Sequence, residues 1–229
     1  MTADFALILG QAIARKVLRA SPTPHQIVIG KNTRKSGYMF ESALVAGICS
    51  QGVDAIVVGP MPTPAIAFIT RSVRANAGAV ISASHNPYYD NGIKFFDEDG
   101  YKFPDEVEEE IEVMIDGGAI PLNENIGKTY RIETAVGRYV EFTKSTFDKD
   151  LDLRGLKIVV DCANGAGYRV APMAIEELGA EIVVINDEPN GININENSGA
   201  TAPGAMARKV VELSADIGIS LDGDGDRLI

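Results

Sequence analysis

The chain has 229 residues, 45% hydrophobic and 23% charged, a globular composition that excludes a disordered chain. With 21 Lys and Arg against 32 Asp and Glu, the formal charge of −11 repels phosphate backbones and sets nucleic acid aside as a partner, while a small anionic substrate stays open because local groups can overrule net charge. No apolar run approaches the ~18 residues of a membrane span, no secretion signal opens the chain, and Cys49 and Cys162 are too far apart for a disulfide frame or metal knuckle, so they read as buried thiols of a cytoplasmic protein.

In chain order, helix and strand alternate. Residues 3–20 carry apolar side chains at helical spacing, with Thr2 or Asp4 as cap, and Ser21-Pro22-Thr23-Pro24 stops the helix. A strand at 26–30, a polar loop at 31–36 and a helix to about 50 follow. Then come a strand at 55–58, ended by Gly59-Pro60-Met61-Pro62-Thr63-Pro64, and a helix to about 74. A strand at 77–81 leads through a long polar loop to an edge strand at 93–96. Pro104 opens a helix with Val107, Ile111, Met114 and Ile115 as its apolar stripe and the acidic run 108–112 as its solvated face. The polar stretch 117–127 reads as a connection. After a helix at 134–146 the rhythm restarts: strand 156–160, helix 169–178, strand 181–185, helix 203–213, strand 216–221. Continuous apolar strands alternating with helices predict two consecutive three-layer α/β/α domains with mainly parallel, mixed sheets, at 1–133 and 134–229. The two do not read as a sequence repeat.

Ligands of open α/β sheets gather beyond the carboxyl ends of strands, and three polar loops sit there. Gly30–Gly37 lacks the spacing of a P-loop, yet Lys31, Arg34, Lys35, hydroxyls and a helix start suit a phosphate. Ser82-Ala83-Ser84-His85-Asn86-Pro87 places a serine beside a histidine, but adjacent residues rarely face each other and no nucleophile elbow is present; a polar turn is the plain alternative. Asp222-Gly223-Asp224-Gly225-Asp226-Arg227 alternates three carboxylates with glycines directly after a strand. Such carboxylates converge on a hard cation, and without one they repel. The preceding strand, and Arg227 where a calcium loop has glycine, favour magnesium, and magnesium beside a basic loop points to phosphoryl transfer.

These loops, in this order, resemble the α-D-phosphohexomutase superfamily, whose serine loop usually has Thr at the place of Ser82. Asn91–Phe96, Gly59–Pro64, Asp161–Ala166 and Pro189–Asn195 are most similar to the bacterial phosphoglucosamine mutases. The resemblance implies that Ser84 is carried as phosphoserine and that glucosamine 6-phosphate and glucosamine 1-phosphate interconvert through a bisphosphate, for amino-sugar and peptidoglycan precursor synthesis. It implies Mg2+ on Asp222, Asp224, Asp226 and an oxygen of phospho-Ser84, catalytic roles for Ser84, Lys94, His85 and Arg34, and support from Arg227. The implied partner is a sugar phosphate, with no nucleic acid or membrane, and a homo-oligomer is compatible.

Departures from the pattern are Asn32, where the family usually has Asp, and Ser198, where it often has Cys. The opening segment with its catalytic arginine, the sugar-recognition loop of domain III and the phosphate loop of domain IV find no counterpart here. The expectation is therefore a fragment, competent for metal but not for efficient turnover. The alternatives are a sister phosphomannomutase or phosphoglucomutase; a haloacid-dehalogenase-type phosphatase with Asp222 as nucleophile; and a non-catalytic metal or sugar-phosphate binding module or half of a split enzyme.

Overall fold

The structure is a computed structural model that describes residues 1–20, 25–118, 120–121 and 123–229. The stop expected at Ser21–Pro24 lies outside the described residues. The helix before it, α1 (Ala3–Ala20), forms as the spacing predicts.

β1 (Gln26–Lys31), β2 (Asp54–Pro60), β3 (Ala77–Ile81), β4 (Ile93–Asp97) and β5 (Thr129–Arg131) make one sheet in the order β4-β3-β1-β2-β5. All neighbours run parallel except β4 against β3. Alternation sorts the β1 side chains onto two faces. Ile27 and Ile29 join the core beneath α1 and α2 (Lys35–Cys49), whereas Val28 joins Ile66 and Ile69 of α3 (Thr63–Ser72) on the other face. Helix α4 (Asp105–Asp116) buries Ile111 in the first of these cores and turns its acidic residues to solvent, as the pattern predicts. β5 is the strand that the sequence does not announce. Its three residues, Thr129, Tyr130 and Arg131, are all exposed, so no apolar run marks it.

Helices α1 and α2 cross at Gly10 and Gly47. A Cβ on Gly47 would stand 2.1 Å from the Leu7 carbonyl oxygen and one on Gly10 would stand 2.4 Å from that of Leu44. Backbone cannot yield there as a flexible side chain would. Gly47→Ala is therefore expected to cost about 2 kcal/mol through overpacking, read as a melting temperature several degrees lower. An unchanged melting temperature would contradict this crossing.

β6 (Lys157–Asp161), β7 (Glu181–Ile185) and β8 (Ile217–Ser220) form a second, all-parallel sheet in the order β7-β6-β8. Ile158 and Val160 face the core shared with Ala171 and Ile175 of α6 (Val170–Glu177). On the opposite face, α7 (Gly204–Leu213) lays Met206 against Gly218. Helix α5 (Ala135–Ser145) serves both sheets: Ala135 enters the core beneath α3, and Val140 packs on Val170 and Ala174. Both sheets are thus mainly parallel layers between helices, as the sequence predicts.

Cys162 is buried, and burial, followed by the charges of Asp187 and Asp161, pushes its thiol up to about 12. Cys49 is only half-buried and lies 3.6 Å from Thr129 Oγ1, so the expectation of two buried thiols holds for one of them. Among the described residues no helix is long and apolar enough to cross a membrane.

Candidate active site

The carboxyl ends of β1, β2, β3, β6 and β8 open toward one another, and the loops beyond them meet. Thr33 Oγ1 donates to the Asn164 carbonyl at 2.6 Å. The Lys35 N–H donates to the Gly191 carbonyl at 2.9 Å, and the Thr63 N–H to the Asp224 carbonyl at 2.8 Å. Each of these bonds links the first sheet's loops to the second's.

Ser84, after β3, is buried at φ +50°, a left-handed conformation uncommon for a residue with a Cβ. Its hydroxyl lies 3.1 Å from Asp222 Oδ2 and 3.0 Å from Asp224 Oδ1, so the serine and acidic loops do converge. A hydroxyl has one hydrogen and satisfies one of these carboxylates at a time. The other contact sets oxygen against oxygen unless a cation, or a proton on the raised Asp222 carboxyl, lies between them.

Because β4 runs antiparallel to β3, its first residues return to the carboxyl end of β3. Lys94, paired with Val80, thereby reaches Asp224 Oδ2 at 3.0 Å. Thr63 Oγ1 donates to the same oxygen at 3.0 Å, and the first turn of α3 adds a favourable helix terminus for an anion. Burial works to raise the Asp224 carboxyl, but Lys94, Asp222 and Thr63 outweigh it and hold it at about 2. Asp222 goes the other way, raised by burial and then by the charge of Asp224; its Oδ1 accepts the N–H groups of Asp226 and Arg227, each at 3.2 Å. Burial and the charges of Asp224 and Asp222 push the exposed Asp226 up to about 6. One oxygen from each of the three carboxylates lies within 4.8 Å of the others, so the cluster fits a metal ion.

Arg34 is buried beneath the serine loop, and its Nη2 donates to the carbonyls of Ser84 at 3.2 Å and Asn86 at 2.5 Å. Burial lowers it to about 10 against the opposing charges of Asp224 and Asp90, so it remains a cation at neutral pH. Its Nη1 is buried without a partner among the described residues. Asn32 accepts the Arg34 N–H at 2.9 Å and donates to Ser82 Oγ at 3.0 Å, giving the residue that departs from the family pattern a structural task. His85 is exposed, with Nδ1 3.0 Å from Arg227 Nη1. That contact requires the imidazole to accept at Nδ1.

One reading changes. Lys31, offered by the sequence as a phosphate ligand, is buried and paired with Glu41 beneath the Tyr38 ring, so it does not face the cluster. Thr63 and Asn195 join the site without a distinguishing motif of their own. Thr63 follows the carboxyl end of β2 in the proline-rich run, and Asn195 lies well past β7 in the run 189–195; each is a single polar residue with no further mark in the sequence.

Residues 1–119 match the family model described as phosphoglucomutase/phosphomannomutase, alpha/beta/alpha domain I, and residues 137–229 match that for domain II. The chain is 59% identical to a phosphoglucosamine mutase of Geotalea uraniireducens over 100% of this chain and 51% of that protein. It is 57% identical to one of Syntrophotalea carbinolica, again over 100% of this chain and 51% of that protein. A crystal structure of a phosphoglucomutase/phosphomannomutase family protein from Burkholderia thailandensis superposes with a TM-score of 0.82 at 28% identity, covering 100% of this chain and 50% of that one. The chain therefore spans about half the length of the curated relatives it matches.

Proposed function

This chain belongs to the phosphoglucomutase/phosphomannomutase family, and we propose that it serves the interconversion of glucosamine 6-phosphate and glucosamine 1-phosphate, with Ser84 as the phosphate carrier. The observation that carries the reading is the Ser84 hydroxyl held between Asp222 and Asp224, at 3.1 and 3.0 Å. The names of the curated relatives support the amino sugar. Residues 1–133 and 134–229 are read as its two α/β/α domains, divided just before α5.

Asp222, Asp224, Asp226 and an oxygen of phosphorylated Ser84 would hold Mg2+. When bound, the ion neutralises charge on the transferring phosphoryl group. The chain's own groups do the positioning. Lys94 balances Asp224, the carboxylate whose other oxygen the Ser84 hydroxyl reaches, and its Nζ would serve proton transfer or charge stabilisation there. Arg34, held against the Ser84 carbonyl by Nη2, has in Nη1 a donor without a partner among the described residues that would suit a phosphate on Ser84. His85 and Arg227 pair across the serine and metal loops and order both.

Incubation with a hexosamine bisphosphate and Mg2+ is expected to add one phosphate to the native chain at Ser84 and none to Ser84→Ala. Equal labelling of the two chains would contradict the reading.

A pH dependence follows from Asp226. Its carboxyl is raised to about 6 in the metal-free protein, so a cation must displace a proton below that pH. Cation affinity is expected to rise with pH up to about 6 and then level off. The stability contribution has the opposite sign. A carboxyl whose pKa is raised on folding favours the folded state at low pH, and this contribution fades as pH rises from about 4 through 6. Cation affinity that stays flat from pH 5 to 7, measured by Mn2+ titration, would contradict the assignment.

A further inference from the structure

We propose that Asn195, from the loop after β7, is a positioning residue that locks the Ser84 loop against the metal loop. Its Nδ2 donates to the carbonyls of Ser84 and Asn86, each at 3.1 Å. The same two carbonyls accept from Arg34 Nη2. A carbonyl oxygen has two lone pairs, so each is held from two sides, by one residue of the first sheet's loops and one of the second's.

The other polar group of the Ser84 backbone is also taken. Its N–H donates to Ser82 Oγ at 3.0 Å, the oxygen that Asn32 Nδ2 also reaches. Side chains thus fix both ends of a serine at φ +50°, a conformation that needs its surroundings to impose it. Asn195 itself sits at φ +60°, which asparagine tolerates, and anchors its own N–H on the Ala163 carbonyl at 2.9 Å. Gly223 of the metal loop closes the junction. A Cβ there would lie 2.6 Å from Asn195 Nδ2 and 2.8 Å from the Ser84 carbonyl oxygen. The serine loop, the Asn195 turn and the metal loop therefore touch at one point. A twist of Ser84 about its backbone would carry its Oγ away from Asp222 and Asp224. The catalytic meaning of this lock rests on Ser84 as the phosphate carrier; its geometry does not.

The test is backbone hydrogen exchange, read by mass spectrometry on the unphosphorylated chain and on Asn195→Gly and Asn195→Asp. Glycine keeps the φ +60° backbone and removes the donors. Aspartate keeps the shape and sets oxygens against the two carbonyls. Both variants are expected to speed exchange in segment 82–91 about tenfold or more, the scale of one net hydrogen bond. Asn195→Gly is expected to leave segment 186–200 and the β1 and β6 strands unchanged. Faster exchange confined to 186–200, or no change in 82–91 for Asn195→Gly, would overturn the proposal. A chain that never takes phosphate on Ser84 would overturn the carrier reading and leave this result standing.

Discussion

Asp224→Asn is expected to weaken divalent-cation binding about a hundredfold or more. Substituting a residue that merely supports a metal ligand already costs about 10- to 100-fold, and Asp224 is more deeply committed than that. It is buried, it receives Thr63 and Lys94 on one oxygen and Ser84 on the other, and Lys94 helps hold it ionised down to about 2. Asparagine preserves the shape and can still accept from Thr63. It removes the charge that attracts a cation and leaves Lys94 facing a neutral oxygen. It also removes one of the charges that raise Asp226, whose carboxyl should then titrate below its present value near 6. Calorimetric Mn2+ titration reads the affinity. Binding within threefold of the native chain would place the cation site elsewhere.

Arg34→Ala is expected to destabilise the metal-free chain by about 3 kcal/mol, the scale of removing one member of a buried charge system. Two effects add. The carbonyls of Ser84 and Asn86 lose one of their two donors, and the Pro87 carbonyl loses its contacts with the guanidinium. The buried Asp224 loses a nearby positive charge. A bound cation can replace that charge but not the donors, so saturating Mn2+ should recover part of the lost melting temperature. A variant as stable as the native chain without metal would contradict this account of the serine loop, and so would an equal loss with and without metal.

Much of this arrangement is legible in the residues because it follows from rules that act locally. The Val- and Ile-rich strands and their helices announce parallel layers, parallel layers put the loops at one end, and three aspartates after a strand announce a cation. What was not legible depends on contacts distant in sequence. β5 consists of exposed residues whose only signal is backbone pairing with Ala55, Ile56 and Val57. Lys31 looks like an anion ligand until the fold places Glu41 and the Tyr38 ring against it. Thr63 and Asn195 are single polar residues in loops; their roles exist only once Asp224 and the Ser84 carbonyl arrive from 161 and 111 positions away. Asn32 shows the same limit. Its amide, in place of the expected carboxylate, is a donor that Ser82 Oγ accepts.

The most direct test of the central claim is to map covalent phosphate on the protein as purified from cells, by mass spectrometry with and without hydroxylamine. The account predicts an acid-stable, hydroxylamine-resistant phosphate on Ser84. A hydroxylamine-labile acyl phosphate on Asp222 would contradict it, because the metal loop would then be the nucleophile and Ser84 a bystander.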